Sequence, residues 1–130
     1  MDTGLLYKLD AFREALGEGY TVSISPVKGA IGRHAGVSTS MHNFDLTGSV
    51  RAIDVFPAYQ NTGLTKAQLK RAYKIAVQVG FTGIGVYPDT QPRPMMHLDV
   101  RPNRVKGSPS KWSRFAATGK QDHPIERAFV

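Results

Sequence analysis

One segment of this chain places an acidic side chain in the middle of an apolar run that alternates as a β-strand does. In residues 51–56, which read RAIDVF, Asp54 shares one face of the predicted strand with Ala52, and apolar side chains occupy the other face. A carboxylate among apolar neighbours is costly to bury unless it is paired or binds a metal ion. The pattern therefore favours a functional role for Asp54 over a purely structural one.

A second segment, residues 95–100 with the sequence MMHLDV, repeats this arrangement near the other end of the chain. His97 and Asp99 are two positions apart, so their side chains share a face of the predicted strand, and apolar residues line the opposite face. We expect the two segments to face each other and to share one metal ion. A lone His on a strand is more often the partner of a carboxylate than a ligand, and only the combination with Asp54 points to a metal.

Composition restricts both the kind of protein and the kind of metal site. The chain has 130 residues, enough for one domain, and its 41% hydrophobic and 21% charged residues are ordinary for a soluble protein. It contains no cysteine, so a metal must be held by His and carboxylates, a ligand set that suits zinc. We expect a monomer.

The sequence contains no candidate membrane span and no signal peptide. No apolar run approaches the roughly 20 residues needed to cross a bilayer. The opening residues, MDTGLLYKLDAFREAL, combine acidic side chains with a helical period. We therefore expect a protein made in the cytoplasm that other means deliver to its site of action.

Apolar periodicity predicts two helices. Residues 4–17 carry a stripe at helical spacing, formed by Leu5, Leu6, Leu9, Phe12 and Leu16. Thr65, followed three residues later by Gln68, forms a capping-box pattern that starts a second helix. Gly80 is suited to the position just after its end.

Strands are predicted at residues 20–25, 51–56, 81–87 and 95–100, between Gly- and Pro-rich loops. Gly83 and Gly85 indicate close approach of a neighbouring backbone in the sheet. This order of elements predicts an α+β domain, with a small, mostly antiparallel sheet and helices packed on one side. We assign residues 1–117 to this domain and residues 118–130 to a basic, flexible C-terminal tail.

Positive charge is concentrated near the C-terminus. The net charge is +7, and seven basic residues against two acidic ones follow Val100. Such an excess favours a polyanionic partner, either nucleic acid or an anionic cell envelope. The alternative is a solvated terminus without a partner.

Two motifs, in order along the chain, resemble a family of bacterial cell-wall peptidases. Ser40-x-His42, Gly48 and Arg51-Ala52-x-Asp54 resemble the SxHxxGxAxD motif of zinc D-Ala-D-Ala carboxypeptidases and of the related L-alanyl-D-glutamate endopeptidases of phage lysins. Further on, GIGVYP and HLDVR resemble the end of one branch of that family. The family has the fold of the hedgehog signalling domain. The HExxH helix motif of other zinc proteases is absent.

The resemblance implies a zinc peptidase that hydrolyses amide bonds in the peptide stems of peptidoglycan. It makes His42, Asp54 and His97 the zinc ligands. Asp99 is the first choice for general base, and the alternative makes Asp99 a ligand and His97 the acid or base. A substrate carboxylate would be held by Lys28 or Arg33.

Two departures from the family pattern accompany the resemblance. Eleven residues separate His42 from Asp54, more than in the family motif. Pro94 stands where many relatives carry an acidic general base. The second departure keeps open an alternative function, a metal-containing module of the same fold that binds the cell wall without cleaving it.

Overall fold

The computed structural model describes residues 3–24, 52–119 and 121–130. Within these residues, the elements are helices α1 (Thr3–Leu16) and α2 (Lys66–Val79), strands β1 (Tyr20–Ile24), β2 (Ala52–Tyr59), β3 (Thr62–Gly63), β4 (Gly83–Tyr87), β5 (Met95–Asp99) and β6 (Ser110–Ser113), and two 3₁₀ helices (Ala116–Thr118 and Ile125–Phe129).

The strands of the described residues form one sheet in the order β1-β2-β5-β4-β6, with β3 paired to β2. Every pair is antiparallel except β4 with β6, which is parallel. The predicted α+β class and mostly antiparallel sheet are confirmed. In the part of the chain that the structure describes, no helix is both long and apolar enough to cross a membrane.

Both helices pack on the same face of the sheet. That face carries the apolar positions of the central strands, which form the core together with the buried sides of α1 and α2. Leu5, Leu9, Phe12 and Leu16 of α1 are buried, at the spacing expected for one helix face. Leu6 was placed on this face by sequence but is 45% exposed, because it lies one position beyond the buried stripe.

The capping residues of α2 behave as predicted. The Gln68 backbone N–H donates to the Thr65 hydroxyl at 3.2 Å, and the Thr65 N–H donates to the Gln68 side chain at 2.9 Å. Gly80 ends the helix with φ of 109°, a conformation that favours glycine, and its N–H donates to the Ala76 and Val77 carbonyls. These contacts fix where α2 stops and β4 begins.

Strand β2 runs three residues beyond the predicted end at Phe56, through Pro57 to Tyr59. Pairing with β5 extends only from Ala52 to Val55, so the missing N–H of Pro57 costs no hydrogen bond to that strand. The extension pairs instead with β1 and β3.

The C-terminal segment is folded, which corrects the expectation of a flexible tail over residues 118–130. Ile125 and Ala128 are buried in the core, three positions apart on one face of a 3₁₀ helix. The Phe129 ring packs against Tyr73 of α2 at 5.7 Å between centroids. These apolar contacts were not recognised in a segment whose composition is mainly polar and basic.

Candidate metal centre

The register of the three central strands places the predicted polar residues side by side. Strand β5 lies between β2 and β4, and His97 is the direct neighbour of Asp54 on one side and Gly85 on the other. Asp99 is likewise the neighbour of Ala52 and Gly83. All these positions lie on the face of the sheet opposite the helices, as their alternation with core residues requires.

His97 forms a bridge between two carboxylates. Its Nδ1 lies 3.2 Å from Asp54 Oδ1, and its Nε2 lies 2.6 Å from Asp99 Oδ2. His97 is only 6% exposed and Asp99 is fully buried, whereas the Asp54 side chain is 23% exposed. The ring is therefore fixed at both nitrogens, and the Asp54 side of the ring is the more accessible one.

Asp99 is held from the other side by Arg101. The guanidinium Nε donates to both carboxylate oxygens, at 3.0 and 3.1 Å, and Nη2 donates to Oδ2 at 3.0 Å. The Arg101 backbone N–H donates to the Thr82 hydroxyl at 2.6 Å, which ties the end of β5 to the start of β4. Two cationic partners therefore offset the free-energy cost of burying the Asp99 carboxylate.

The electrostatics of this cluster follow from burial and hydrogen bonding. Burial acts to lower the pKa of His97, but the hydrogen bonds and charges of Asp54 and Asp99 outweigh it and leave that pKa raised. Burial acts to raise the pKa of Asp99, but His97 and Arg101 outweigh it and leave that pKa lowered. Without a metal, the arrangement therefore favours an imidazolium ion between two carboxylates.

Two glycines of β4 make room for this cluster. A Cβ atom at Gly83 would lie 2.0 Å from Asp99 Oδ1, and one at Gly85 would lie 2.6 Å from Trp112 Nε1. The predicted close approach at Gly83 and Gly85 is thus one of side chains, the Asp99 carboxylate and the Trp112 indole, lying across the strand. No other residue type leaves this space.

Trp112 of β6 forms an aromatic wall beside the cluster. Its ring centroid is 5.2 Å from that of His97, and the Arg101 guanidinium carbon lies 5.0 Å from its ring centre. Its indole N–H donates to the Tyr87 hydroxyl at 3.2 Å. No role at the site was predicted for Trp112 from the sequence. The signal was available in Gly85, whose missing side chain leaves space for a large neighbour.

The distances at Asp54 and His97 fit two ligands of one zinc ion. Zinc binds His nitrogen and carboxylate oxygen at about 2.0–2.2 Å in tetrahedral geometry, which separates two ligand atoms by about 3.3 Å. The Nδ1–Oδ1 distance of 3.2 Å is that of a hydrogen bond, and it is also compatible with this separation. Among residues 3–24, 52–119 and 121–130, no group of three or more His, Cys, Asp or Glu side chains is arranged to hold a metal.

The remaining predicted site residues are Lys28, Arg33 and His42, and all three lie outside the described residues. Asp89 lies in the loop between β4 and β5. Its carboxylate accepts the backbone N–H groups of Ala116 at 2.8 Å and Ala117 at 3.4 Å. Asp89 therefore caps the first 3₁₀ helix.

Comparison with models of protein families, with curated proteins and with solved structures finds no match for this chain. The functional argument therefore depends on the geometry of this site and on the sequence motifs.

Proposed function

We propose that this chain is a zinc-dependent peptidase that hydrolyses amide bonds in the peptide stems of bacterial peptidoglycan. The observation that carries the proposal is the cross-strand pair of Asp54 and His97, with His97 Nδ1 at a ligand-to-ligand distance from Asp54 Oδ1. The two motifs that resemble zinc D-Ala-D-Ala carboxypeptidases and L-alanyl-D-glutamate endopeptidases support the reaction and the substrate class.

In this proposal zinc is held by Asp54, by His97 through Nδ1, and by His42. When bound, the metal polarises the scissile carbonyl and lowers the pKa of a coordinated water to near 7. Asp99 accepts a hydrogen bond from His97 Nε2, which fixes the ring orientation and leaves Nδ1 to face Asp54. Arg101 holds Asp99 in turn.

We assign Asp99 a positioning role rather than proton transfer or metal ligation. Its carboxylate is fully buried, and both oxygens already accept hydrogen bonds from Arg101. A general base must reach the proton that it removes, directly or through one water. Asp54 is assigned as a ligand and Asp99 is buried, so we place the general base outside this pair.

Substrate recognition is assigned to charge and to an aromatic surface. Lys28 or Arg33 would neutralise a carboxylate of the stem peptide. Trp112 lies against His97 and would flank a substrate bound at the metal. The enzyme would act on the cell wall as a phage-delivered or released protein, which is the setting of the lysins that the motifs resemble.

A metal-containing module that binds the cell wall without cleaving it is the second candidate function. It is favoured by Pro94, which stands in place of an acidic residue, and by the engagement of Asp99 with Arg101. Both candidate functions include a bound metal, but only the peptidase cleaves its substrate.

The metal is tested by measuring bound zinc in the purified wild type and in the Asp54→Asn and Asp10→Asn variants. We expect one zinc per chain in the wild type and in the control, since Asp10 is exposed on α1, and loss of zinc in Asp54→Asn. Equal zinc content in all three proteins would overturn the assignment of Asp54. Cleavage of stem peptides then separates the peptidase from the binding module.

A further inference from the structure

A second polar region lies on the other side of Arg101 from the metal centre. A cavity of about 510 Å³ opens where the end of α2 meets the ends of β4 and β5. Val79, Val100 and Pro102 contribute apolar walls, and the charged lining residues are Lys8, Arg101 and Lys106. No acidic residue lines the cavity within the described part of the chain.

Lys8 and Lys106 converge on this cavity from distant parts of the sequence. A Cβ atom built at Gly80 would lie 3.2 Å from Lys8 Cε and 3.6 Å from Lys106 Cδ, so both stems pass close to the same backbone position. Neither ammonium group makes a hydrogen bond or an ion pair with another described residue. The stems of both lysines therefore lie beside Gly80, and neither ammonium group has a described counter-charge.

Part of this arrangement has a structural explanation. The last turn of α2 contains no basic residue, and cations at a helix C-terminus are favourable, so Lys8 and Lys106 complement the negative end of α2. That role explains the sign of the charges at this point but does not require a cavity between them. Attraction of an anion to the cavity would come from the two ammonium groups, since the end of α2 itself carries partial negative charge.

Other basic residues near the C-terminus are engaged elsewhere. Arg114 forms an ion pair with Asp122, and Arg127 Nη1 lies 2.8 Å from His123 Nδ1. Because residues 121–130 are folded, the positive charge does not form a loose polycationic tail. The basic surface that remains open to an anion includes the cavity.

We propose that this cavity binds a phosphate group between Lys8 and Lys106. Phosphate carries up to two negative charges near neutral pH, which matches two ammonium groups, and Lys is a common phosphate ligand. The volume is within the range of small-molecule sites, so it accommodates either free phosphate or one unit of a phosphodiester polymer. The proposal is independent of zinc and of peptide hydrolysis.

The test is a titration of the purified full chain, followed by backbone amide NMR shifts. Inorganic phosphate is one ligand, poly(glycerol phosphate) is the other, and sodium chloride at matched ionic strength is the blank. We expect saturable shifts at Gly80, Thr82 and Val100. Lys8→Gln combined with Lys106→Gln is expected to weaken binding at least about tenfold, since both charge-assisted contacts are lost.

The control variant combines Lys70→Gln with Lys74→Gln, which removes the same charge from exposed positions of α2 that do not line the cavity. Its affinity is expected to change less than about twofold, since exposed charges that make no contact contribute only through screened long-range attraction. Saturation by inorganic phosphate identifies the free anion as sufficient, and saturation by the polymer alone identifies the phosphodiester chain as the ligand.

Equal weakening in both double variants would show attraction to net charge and would overturn the proposal. Absence of saturable shifts at the cavity amides with either ligand would also overturn it. Unchanged amide spectra of the variants without ligand establish that they fold. Because the readout is binding at the cavity, failure of the peptidase proposal leaves this test unaffected.

Discussion

His97 Nε2 lies 2.6 Å from Asp99 Oδ2, two residues further along the same strand, and this contact leaves His97 Nδ1 turned toward Asp54 on the neighbouring strand. A histidine that binds a metal through one nitrogen commonly donates the other to a carboxylate. Asp54 and Asp99 thus contact different nitrogens of the His97 ring, a difference that the sequence alone does not reveal. In the proposed site Asp54 would be a zinc ligand, and Asp99 would lie behind the ligand His97.

Asp99→Asn is expected to weaken zinc binding by about 10–100-fold without abolishing it, because Asp99 orients the ligand His97 and does not itself bind the metal. Affinity is measured by competition with a chromophoric chelator, with Asp10→Asn as the control. If Asp99→Asn loses zinc as completely as Asp54→Asn does, Asp99 is a ligand and its assigned role is wrong.

Gly83→Ala is expected to destabilise the fold and to displace the Asp99 carboxylate, since the added Cβ would lie 2.0–2.3 Å from three carboxylate atoms. Combining it with Asp99→Ala removes the clash, so the two changes should be less costly together than the sum of their separate effects. Urea unfolding of the four proteins in this cycle measures the coupling. Additive effects would show that the carboxylate does not occupy the space above Gly83.

In the metal-free protein, the contribution of His97 to the free energy of unfolding is expected to depend on pH. Because its folded pKa is raised, the stabilisation is fully present below the unfolded value of about 6.5 and is lost as pH rises through the folded pKa. The difference in unfolding free energy between wild type and His97→Gln should therefore shrink from pH 6 toward alkaline pH. A difference that grows with pH would contradict the imidazolium bridge.

The contribution of Asp99 to stability depends on pH in the opposite direction, and the change occurs at acid pH. Its pKa is lowered from 3.8, so its stabilisation is present above that value and is lost as pH falls through the folded pKa. Acid unfolding of the metal-free wild type and of Asp99→Asn checks this sign. The wild type should lose its advantage only below about pH 4, the ordinary range for Asp.

Ile125→Ala is expected to cost about 2–5 kcal/mol of stability, the usual range for a buried Ile. Glu126→Ala, at the exposed next position, is the matched control and should change stability by less than about 0.5 kcal/mol. Chemical denaturation measures both. Equal, negligible effects would mean that the C-terminal segment does not pack on the core in solution.

The elements that were predicted well carry strong local signals. The Thr65 and Gln68 capping box fixes the start of α2, and the alternation around Asp54 and His97 fixes which face each side chain takes. Local pattern also predicted close approaches at Gly83 and Gly85, but the predicted backbone contact is wrong, since the approaching groups are side chains.

The elements that were missed depend on contacts distant in sequence. Strand β6 has only four residues, and it is held by parallel pairing to β4 and by Trp112 above Gly85. Ile125 is buried through contacts with the core, which a short polar segment does not reveal. The role of Arg101 likewise follows from the burial of Asp99, a tertiary property.

Zinc-dependent hydrolysis of stem peptides is tested most directly by incubating purified peptidoglycan with three forms of the protein. The first form is loaded with zinc, the second has had its zinc removed by a chelator, and the third has had zinc added back. Mass spectrometry of the released fragments and labelling of new amino groups measure cleavage of stem-peptide bonds. We expect cleavage by the first and third forms, none by the second, and none by Asp54→Asn under any condition. Binding of zinc without new amino groups, or equal cleavage by the zinc-free protein, would contradict the account.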